Sequence, residues 1–288
     1  MQKETANNVI PFLSWPLAVI LIFTSYTGLY THNFYFHETP NWQLQSIGQD
    51  MIDLYVIVPV LVLSSWFAWR RNTKGILVWA GTNLHLIYTF CIFCFDVHFN
   101  QLFIFYCFNL GLSFYSMMYF IHLQKKESLR ISLPGNLLIR ITGIYFILIS
   151  VIFYTLWLSE IVPAVVNNTI PESLTEVGLP TNPVHVIDLS VLLPGLLIAG
   201  ILLIRKRAAG FILAPILLVF FILMDITIAV LALLLGVNEM ENNTTIALIM
   251  FILALLSSIL QFGLTRSYWK NSFSIPNPAK KSLIESTL

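Results

Sequence analysis

Long runs of apolar residues alternate with short polar segments along the chain. Eight runs approach or exceed the ~20 residues that an α-helix needs to cross the hydrocarbon of a bilayer. They cover residues 9–30, 51–69, 75–95, 101–122, 138–162, 186–204, 210–236 and 245–266. The runs are apolar at consecutive positions and do not alternate, which favours helices over the strands of a membrane barrel. The pattern predicts an all-α, polytopic membrane protein with eight transmembrane helices.

The composition agrees with this prediction. Of the 288 residues, 57% are hydrophobic and only 10% are charged, and the mean hydropathy is +0.81. A soluble domain carries about 25% charged residues. The segment 9–30 follows a single basic residue, Lys3, and lacks a clear small-residue cleavage site. We therefore interpret it as a retained helix and not as a signal peptide.

A pattern of polar and conformationally special residues occurs twice, 135 positions apart. Its two copies are Asp53, Pro59, Arg70 and Gly75, and then Asp188, Pro194, Arg205 and Gly210. Shared aliphatic residues arise easily in an apolar chain, but an Asp, a Pro, an Arg and a Gly in register do not. We predict two parallel four-helix repeats, related by an axis along the membrane normal. The predicted units are 1–135 and 136–268, followed by a disordered cytoplasmic tail at 269–288.

The basic residues predict the orientation of the protein. On the eight-helix scheme all fifteen Lys and Arg residues fall on one side of the membrane. Short loops that retain Lys and Arg lie in the cytoplasm, so we expect a multi-pass protein of the plasma (inner) membrane with both termini cytoplasmic. Of the fourteen acidic residues only Glu4, Glu127 and Glu285 share that side, which predicts an electronegative outer face. The small basic clusters indicate contact with membrane lipids and no role in binding nucleic acid.

Several ionisable or polar side chains within the predicted helices are candidates for binding a substrate or an ion. A charge at the centre of a membrane helix costs about 2.5–3.5 kcal/mol on insertion scales, and Asp225 is the only charge between Gly210 and Gly236. A rise of 1.5 Å per residue predicts similar depths for the repeated aspartates and Asp225, and hence an acidic vestibule facing outward. The candidates are Asp53, Asp188, Asp225, Asp50, His185, His85 and Tyr88.

Each candidate also has a structural explanation. Asp53 and Asp188 fall near the predicted start of a helix, where an Asp caps exposed amides and suits the helix dipole. Asp225 is too deep to be a cap, but a protonated, hydrogen-bonded Asp would also hold helices together. Pro59 and Pro194 remove a backbone donor and are expected to loosen their helices, which would leave carbonyls free near the repeated aspartates.

No motif in the sequence specifies a catalytic reaction. His85, Asp96, His98 and His185 have the chemistry of metal ligands, but no compact motif such as His-Glu-x-x-His joins them. The sequence contains neither a nucleophile elbow nor a phosphate-binding loop. We therefore expect no catalytic residue, no metal and no cofactor.

Two stretches of the chain carry a resemblance to a known group. They contain Gly48-Gln49-Asp50, Pro59, Arg70-Arg71, residues 75–81, Tyr88 and residues 100–106 in the first half, and Asp188, Pro194, Arg205, Gly210 and Ala214-Pro215 in the second. These stretches resemble a widespread group of prokaryotic multi-pass membrane proteins that carry no assigned function. The resemblance implies a membrane location and a shared fold, and it implies no catalytic or binding residues. That group often has Tyr in the third helix, where this chain has His85 beside Tyr88, so a role of His85 need not be general.

Together these observations favour a permease-like protein over an enzyme. The acidic vestibule would handle a small cation, a proton-coupled solute or a lipid-like molecule. Two alternatives stay open: a membrane-embedded, metal-dependent lipid enzyme, and a noncatalytic scaffold, sensor or accessory subunit. The sequence specifies neither the substrate nor the oligomeric state.

Overall fold

The chain folds into a bundle of long helices. A computed structural model describes residues 8–126, 135–238 and 243–266, and within these ranges eight helices are long and apolar enough to cross a membrane. They are α1 (Val9–Tyr30), α2 (Pro40–Trp69), α3 (Thr73–Phe95), α4 (Phe103–Lys126), α5 (Asn136–Asn167), α7 (Pro183–Ile204), α8 (Ala208–Val237) and α9 (Thr244–Arg266), with a short helix α6 (Glu172–Val177) before α7. The all-α, multi-pass membrane character is thereby confirmed. The predicted tail at 269–288 lies outside the described residues.

The second membrane helix begins earlier than we predicted. We expected its start at residue 51, after an outer loop of 31–49, but α2 begins at Pro40. The Thr39 side chain accepts a hydrogen bond from the Trp42 N–H, and a proline occupies the first helical position. Both features are typical of a helix start. The outer loop therefore shrinks to residues 31–39.

Neither of the repeated aspartates caps its helix. Asp53 lies more than three turns inside α2, whose cap is Thr39. Asp188 lies in the second turn of α7, and the Asn182 side chain caps that helix by accepting a hydrogen bond from the His185 N–H. Neither carboxyl is therefore needed to satisfy the exposed amides of a helix end.

Both copies of the repeated pattern contain a widened helical turn. A π turn occupies Asp53–Ile57 in α2 and Asp188–Leu192 in α7. Pro59 and Pro194 follow directly in the next α-helical segment. A proline lacks an N–H and clashes with the carbonyl four residues before it, and a π turn shifts the hydrogen-bond register by one residue at that place. The loosening expected from the two prolines thus takes the form of a π turn.

The basic turns that follow α2 and α7 are also built alike. Arg71 and Lys206 both adopt left-handed backbone conformations, with φ of 59° and 54°. Gly75 and Gly210 lie so close to the preceding helix that a Cβ at either position would be 2.5 Å from it. The two turns therefore have the same local backbone geometry at positions that correspond in the repeated pattern.

The helices pack in two groups. In the first helix group, α1 contacts α2 and α4, and α3 contacts the same two helices; in the second, α5 contacts α7 and α9, and α8 contacts those two. Each group has its own apolar core. The groups meet mainly at two places: α3 crosses α8 where Gly81 lets Val219 approach the backbone of α3, and the first turns of α2 pack against α8 around Gly48.

Charged side chains divide between the two ends of the bundle. The end at which α2 passes into α3 and α7 into α8 carries Arg70, Arg71, Lys74, Arg140, Arg205, Lys206, Arg207 and Arg266. Acidic side chains lie toward the opposite end, and they include Glu38, Asp96, Glu160, Glu172 and Glu176. We call these the basic end and the acidic end.

Candidate functional site

A cavity of about 530 Å³ lies between the two helix groups, in the half of the bundle toward the acidic end. Its wall comes from the first turns of α2, the end of α3, α5, α6, the start of α7, α8 and the start of α9. Apolar side chains such as Phe153, Ile228 and Met250 make up most of this wall. The volume is in the range of sites that bind small molecules.

The charged part of the cavity wall is acidic. Four of its described lining residues carry a carboxyl group, and none is Lys, Arg or His. The four are Asp96, Glu176, Asp188 and Asp225. Clefts lined by one sign of charge attract the opposite sign, so this cavity favours a cation with an apolar body.

Asp188 joins the two helix groups at the cavity. Its Oδ1 accepts a hydrogen bond of 3.1 Å from Tyr88 Oη of α3, and its Oδ2 accepts one of 2.9 Å from Trp157 Nε1 of α5. Each carboxyl oxygen still has a second lone pair. The side chain is therefore held in one position and can still accept a hydrogen bond from a ligand.

Asp225 of α8 is the second buried carboxyl of the cavity wall. Only 4% of its surface is exposed, and among the described residues its Oδ2 has no hydrogen-bond partner. If Asp225 only held helices together, its carboxyl would be hydrogen-bonded to a neighbouring helix, and within the described ranges its Oδ2 forms no such bond. A buried polar atom without a partner costs free energy, so a proton or a donor on a ligand would stabilise Asp225.

The remaining predicted site residues lie outside the cavity wall. The Asp50 carboxyl lies against Gly28 of α1 and accepts a hydrogen bond from Tyr35, and the Asp53 carboxyl accepts one from Gln49. His85 is fully buried, with its ring centroid 6.3 Å from that of Phe220. The structure thus brings Tyr88, Asp188 and Asp225 to one cavity and holds Asp50, Asp53 and His85 apart from it.

His185 lies behind the cavity wall. Its ring centroid is 4.5 Å from that of Trp157, the residue that donates to Asp188. It does not line the cavity itself. His185 thus contacts Trp157, the residue that positions Asp188. No sequence motif indicates Trp157.

Asp96 lies at the rim of the cavity toward the acidic end, and the sequence indicates it only as a possible metal ligand. Burial, together with the neighbouring Glu38 carboxyl, raises the pKa of Asp96 from 3.8 to about 7. Glu38 itself holds the loop after α3, because its Oε1 accepts a hydrogen bond from the His98 N–H and its Oε2 lies 2.9 Å from His98 Nδ1. The rim of the cavity therefore contains a carboxyl that titrates near neutral pH.

Within the described ranges, no three His, Cys, Asp or Glu side chains come together to hold a metal ion. Comparison of the chain with family models, curated proteins and solved structures finds no match. The resemblance to a prokaryotic membrane-protein group stays a prediction.

Proposed function

We propose that this multi-pass membrane protein is permease-like and moves a small organic cation with an apolar body. The observation that carries the proposal is the cavity, with its apolar wall, four carboxyls and lining free of Lys, Arg and His among the described residues. An anion would meet only like charge there, and a fully polar solute would lose hydration against the apolar wall. We place the protein in the plasma membrane, with the basic end and both termini in the cytoplasm.

Several observations support an architecture of two parallel repeats. The contacts within the first helix group match those within the second, and both π turns begin at a repeated Asp. Where α3 crosses α8, a Cβ at Gly81 would be 2.8 Å from the Ile216 carbonyl, and His85 faces Phe220. Both pairs join positions 135 apart, which is the expected arrangement on a pseudo-twofold axis.

The Tyr88–Asp188 hydrogen bond provides a link between binding and movement. A cation that contacts Asp188 competes with the Tyr88 hydroxyl for the same carboxyl. Weakening this bond loosens the two helix groups at the acidic end, while α3 and α8 stay packed around Gly81. Rocking of one repeat against the other about such a contact is a known mode of alternating access, and the ligand drives it only by binding the two states unequally.

Binding of tetraphenylphosphonium, an apolar cation, tests the proposal. We expect saturable binding to the purified full-length protein, and at least tenfold weaker binding by Asp225→Asn. Tetraphenylborate, an anion of similar size assayed alone, should show no saturable binding. Asp53→Asn is the matched control, since it removes a buried carboxyl outside the cavity. Equal saturable binding of the anion, or unchanged binding of the cation by Asp225→Asn, would contradict the assignment of the cavity.

Flux in proteoliposomes separates transport from the other two functions. An inside-negative potential should drive uptake of tetraethylammonium, an organic cation that crosses lipid poorly, into liposomes containing the wild type and not into those containing Asp225→Asn or no protein. Binding without flux would instead assign a sensor or scaffold role. If the purified wild type contains a stoichiometric bound metal and the His185→Ala variant does not, the metal-dependent enzyme alternative would be favoured.

A further inference from the structure

A second group of buried polar side chains lies between α1 and α2, apart from the cavity. Ser25 of α1 and Asp50 and Asp53 of α2 are 0%, 2% and 1% exposed, and none of the three lines the cavity. Asp50 and Asp53 are three residues apart, so both project from one face of α2. The π turn that begins at Asp53 packs against α1. We call Ser25, Asp50 and Asp53 the oxygen cluster.

Gly28 of α1 makes room for the oxygen cluster. A Cβ at this position would overlap the Asp50 carboxyl and lie 2.6 Å from Tyr35 Oη. Tyr35 donates a hydrogen bond of 2.5 Å to Asp50 Oδ2. The Asp50 carboxyl is therefore held directly against the backbone of α1, a position that a larger residue at Gly28 would close.

One carboxyl oxygen of the cluster lacks a partner among the described residues. Gln49 donates to Asp53 Oδ1 at 2.9 Å, but Asp53 Oδ2 accepts no hydrogen bond. The Ser25 hydroxyl faces Asp50, but the contact does not have the geometry of a normal hydrogen bond. Poorly satisfied polar atoms at this depth cost free energy, and a bound ion would reduce that cost.

The second helix group contains a basic side chain where the oxygen cluster has none. The positions 135 later are Glu160, His185 and Asp188, and Glu160 is near enough to His185 to act on its charge. In the described part of the first group, no Lys, Arg or His forms an ion pair with Asp50 or Asp53. A buried carboxylate needs a counter-charge or a proton, so the two carboxyls of the first group need a cation from outside the chain, a proton, or one of each.

We propose that the oxygen cluster binds a small monovalent cation, with Na⁺ as the ion that fits best. Carboxylate and hydroxyl oxygens are hard ligands suited to such a cation. Ca²⁺ takes six to eight oxygen ligands and Mg²⁺ keeps several waters, more than two carboxyls and one hydroxyl in this buried place accommodate. Helix irregularities also contribute backbone carbonyls to Na⁺ sites, and the π turn begins within the cluster.

Thermal unfolding of the full-length protein in detergent tests this site. NaCl is titrated against choline chloride at constant ionic strength, and a cation that binds the folded state raises Tm in a saturable way. We expect Asp53→Asn and Ser25→Ala each to weaken the apparent Na⁺ affinity at least tenfold. Because Asp53→Asn removes an uncompensated carboxylate, this variant should fold without Na⁺.

Two controls make the result specific. Ser116→Ala removes a hydroxyl on α4 that is equally buried and unpartnered, and Asp188→Asn removes the corresponding carboxyl of the second group. Both should keep the Na⁺ response. Equal Tm in NaCl and choline chloride, or an equal loss of response in Ser25→Ala and Ser116→Ala, would overturn the site. Tetraphenylphosphonium binding is measured separately, so failure of this site leaves the cavity proposal intact.

Discussion

Tyr88 of α3 and Asp188 of α7 form a hydrogen bond of 3.1 Å between the two helix groups. Both side chains are buried at the cavity. The same carboxyl accepts a second bond from Trp157 within its own group. Asp188 thus belongs to the ligand cavity and to the contact between the groups at the same time.

Tyr88→Phe removes the bond between the groups and keeps the ring. A hydrogen bond to a charged group contributes about 1.5–3 kcal/mol, so we expect the free energy of unfolding in mixed micelles to fall by roughly that amount or less. Tetraphenylphosphonium binding should be kept or tightened, because Tyr88 no longer competes for Asp188. Tyr154→Phe is the control, since it removes a bond to the Leu189 carbonyl inside the second group. Loss of binding as large as in Asp225→Asn would contradict this mechanism.

Gly81→Ala tests the crossing of α3 and α8. The added Cβ would be 2.5 Å from Val219 Cβ and 2.8 Å from the Ile216 carbonyl. Overpacking of this kind costs about 1–3 kcal/mol. Gly111→Ala on α4 meets no atom within 4 Å and should leave stability unchanged or slightly raised. Equal unfolding free energies for the two variants would argue against a close crossing.

Asp96 should make stability depend on pH. Its pKa in the folded protein is about 7, raised from 3.8 by burial and then by Glu38. The folded state holds the Asp96 proton more tightly than the unfolded state does. This proton therefore adds to the free energy of unfolding, fully below about pH 4, and its contribution is lost as the pH rises through 7. Asp96→Asn should match the wild-type Tm at about pH 3.5 and exceed it at about pH 8. Glu172→Gln, an exposed carboxyl at the same end, should leave the wild-type profile unchanged.

Cysteine labelling tests the orientation. The background replaces Cys91, Cys94 and Cys107 with alanine. Phe99→Cys lies in the exposed loop after α3, and Asn72→Cys in the exposed basic turn between α2 and α3. A membrane-impermeant maleimide should label Phe99→Cys in intact cells, and Asn72→Cys only after permeabilisation. The opposite labelling pattern would reverse the orientation.

The positions of the helices could be predicted from the sequence because each span is a long apolar run. The start of α2 could not, since residues 40–50 are largely polar and resemble a loop. Their helix depends on packing against α8, where Leu231 and Leu234 lie around Gly48. A contact between residues so far apart in the chain leaves no local signal.

The depth of the buried carboxyls was easier to predict than their direction. Helical rise places Asp53, Asp188 and Asp225 at similar depths, but a helix that is apolar on every side gives no information about its rotation. In the structure Asp188 lines the cavity and accepts a hydrogen bond from α3, whereas Asp53 does not line it. Trp157 was missed for a related reason, because it lies 31 residues before its partner and belongs to no motif.

The hydrogen bond from Tyr35 to Asp50 connects the outer loop to the membrane interior. This loop, residues 31–39, also holds Glu38, which fixes the loop after α3 through His98. A change of charge at Asp50 would therefore alter the anchoring of Tyr35 and reach the protein surface without movement of a whole helix. A surface loop tied to a buried carboxyl in this way couples the charge state of the interior to the shape of the acidic end.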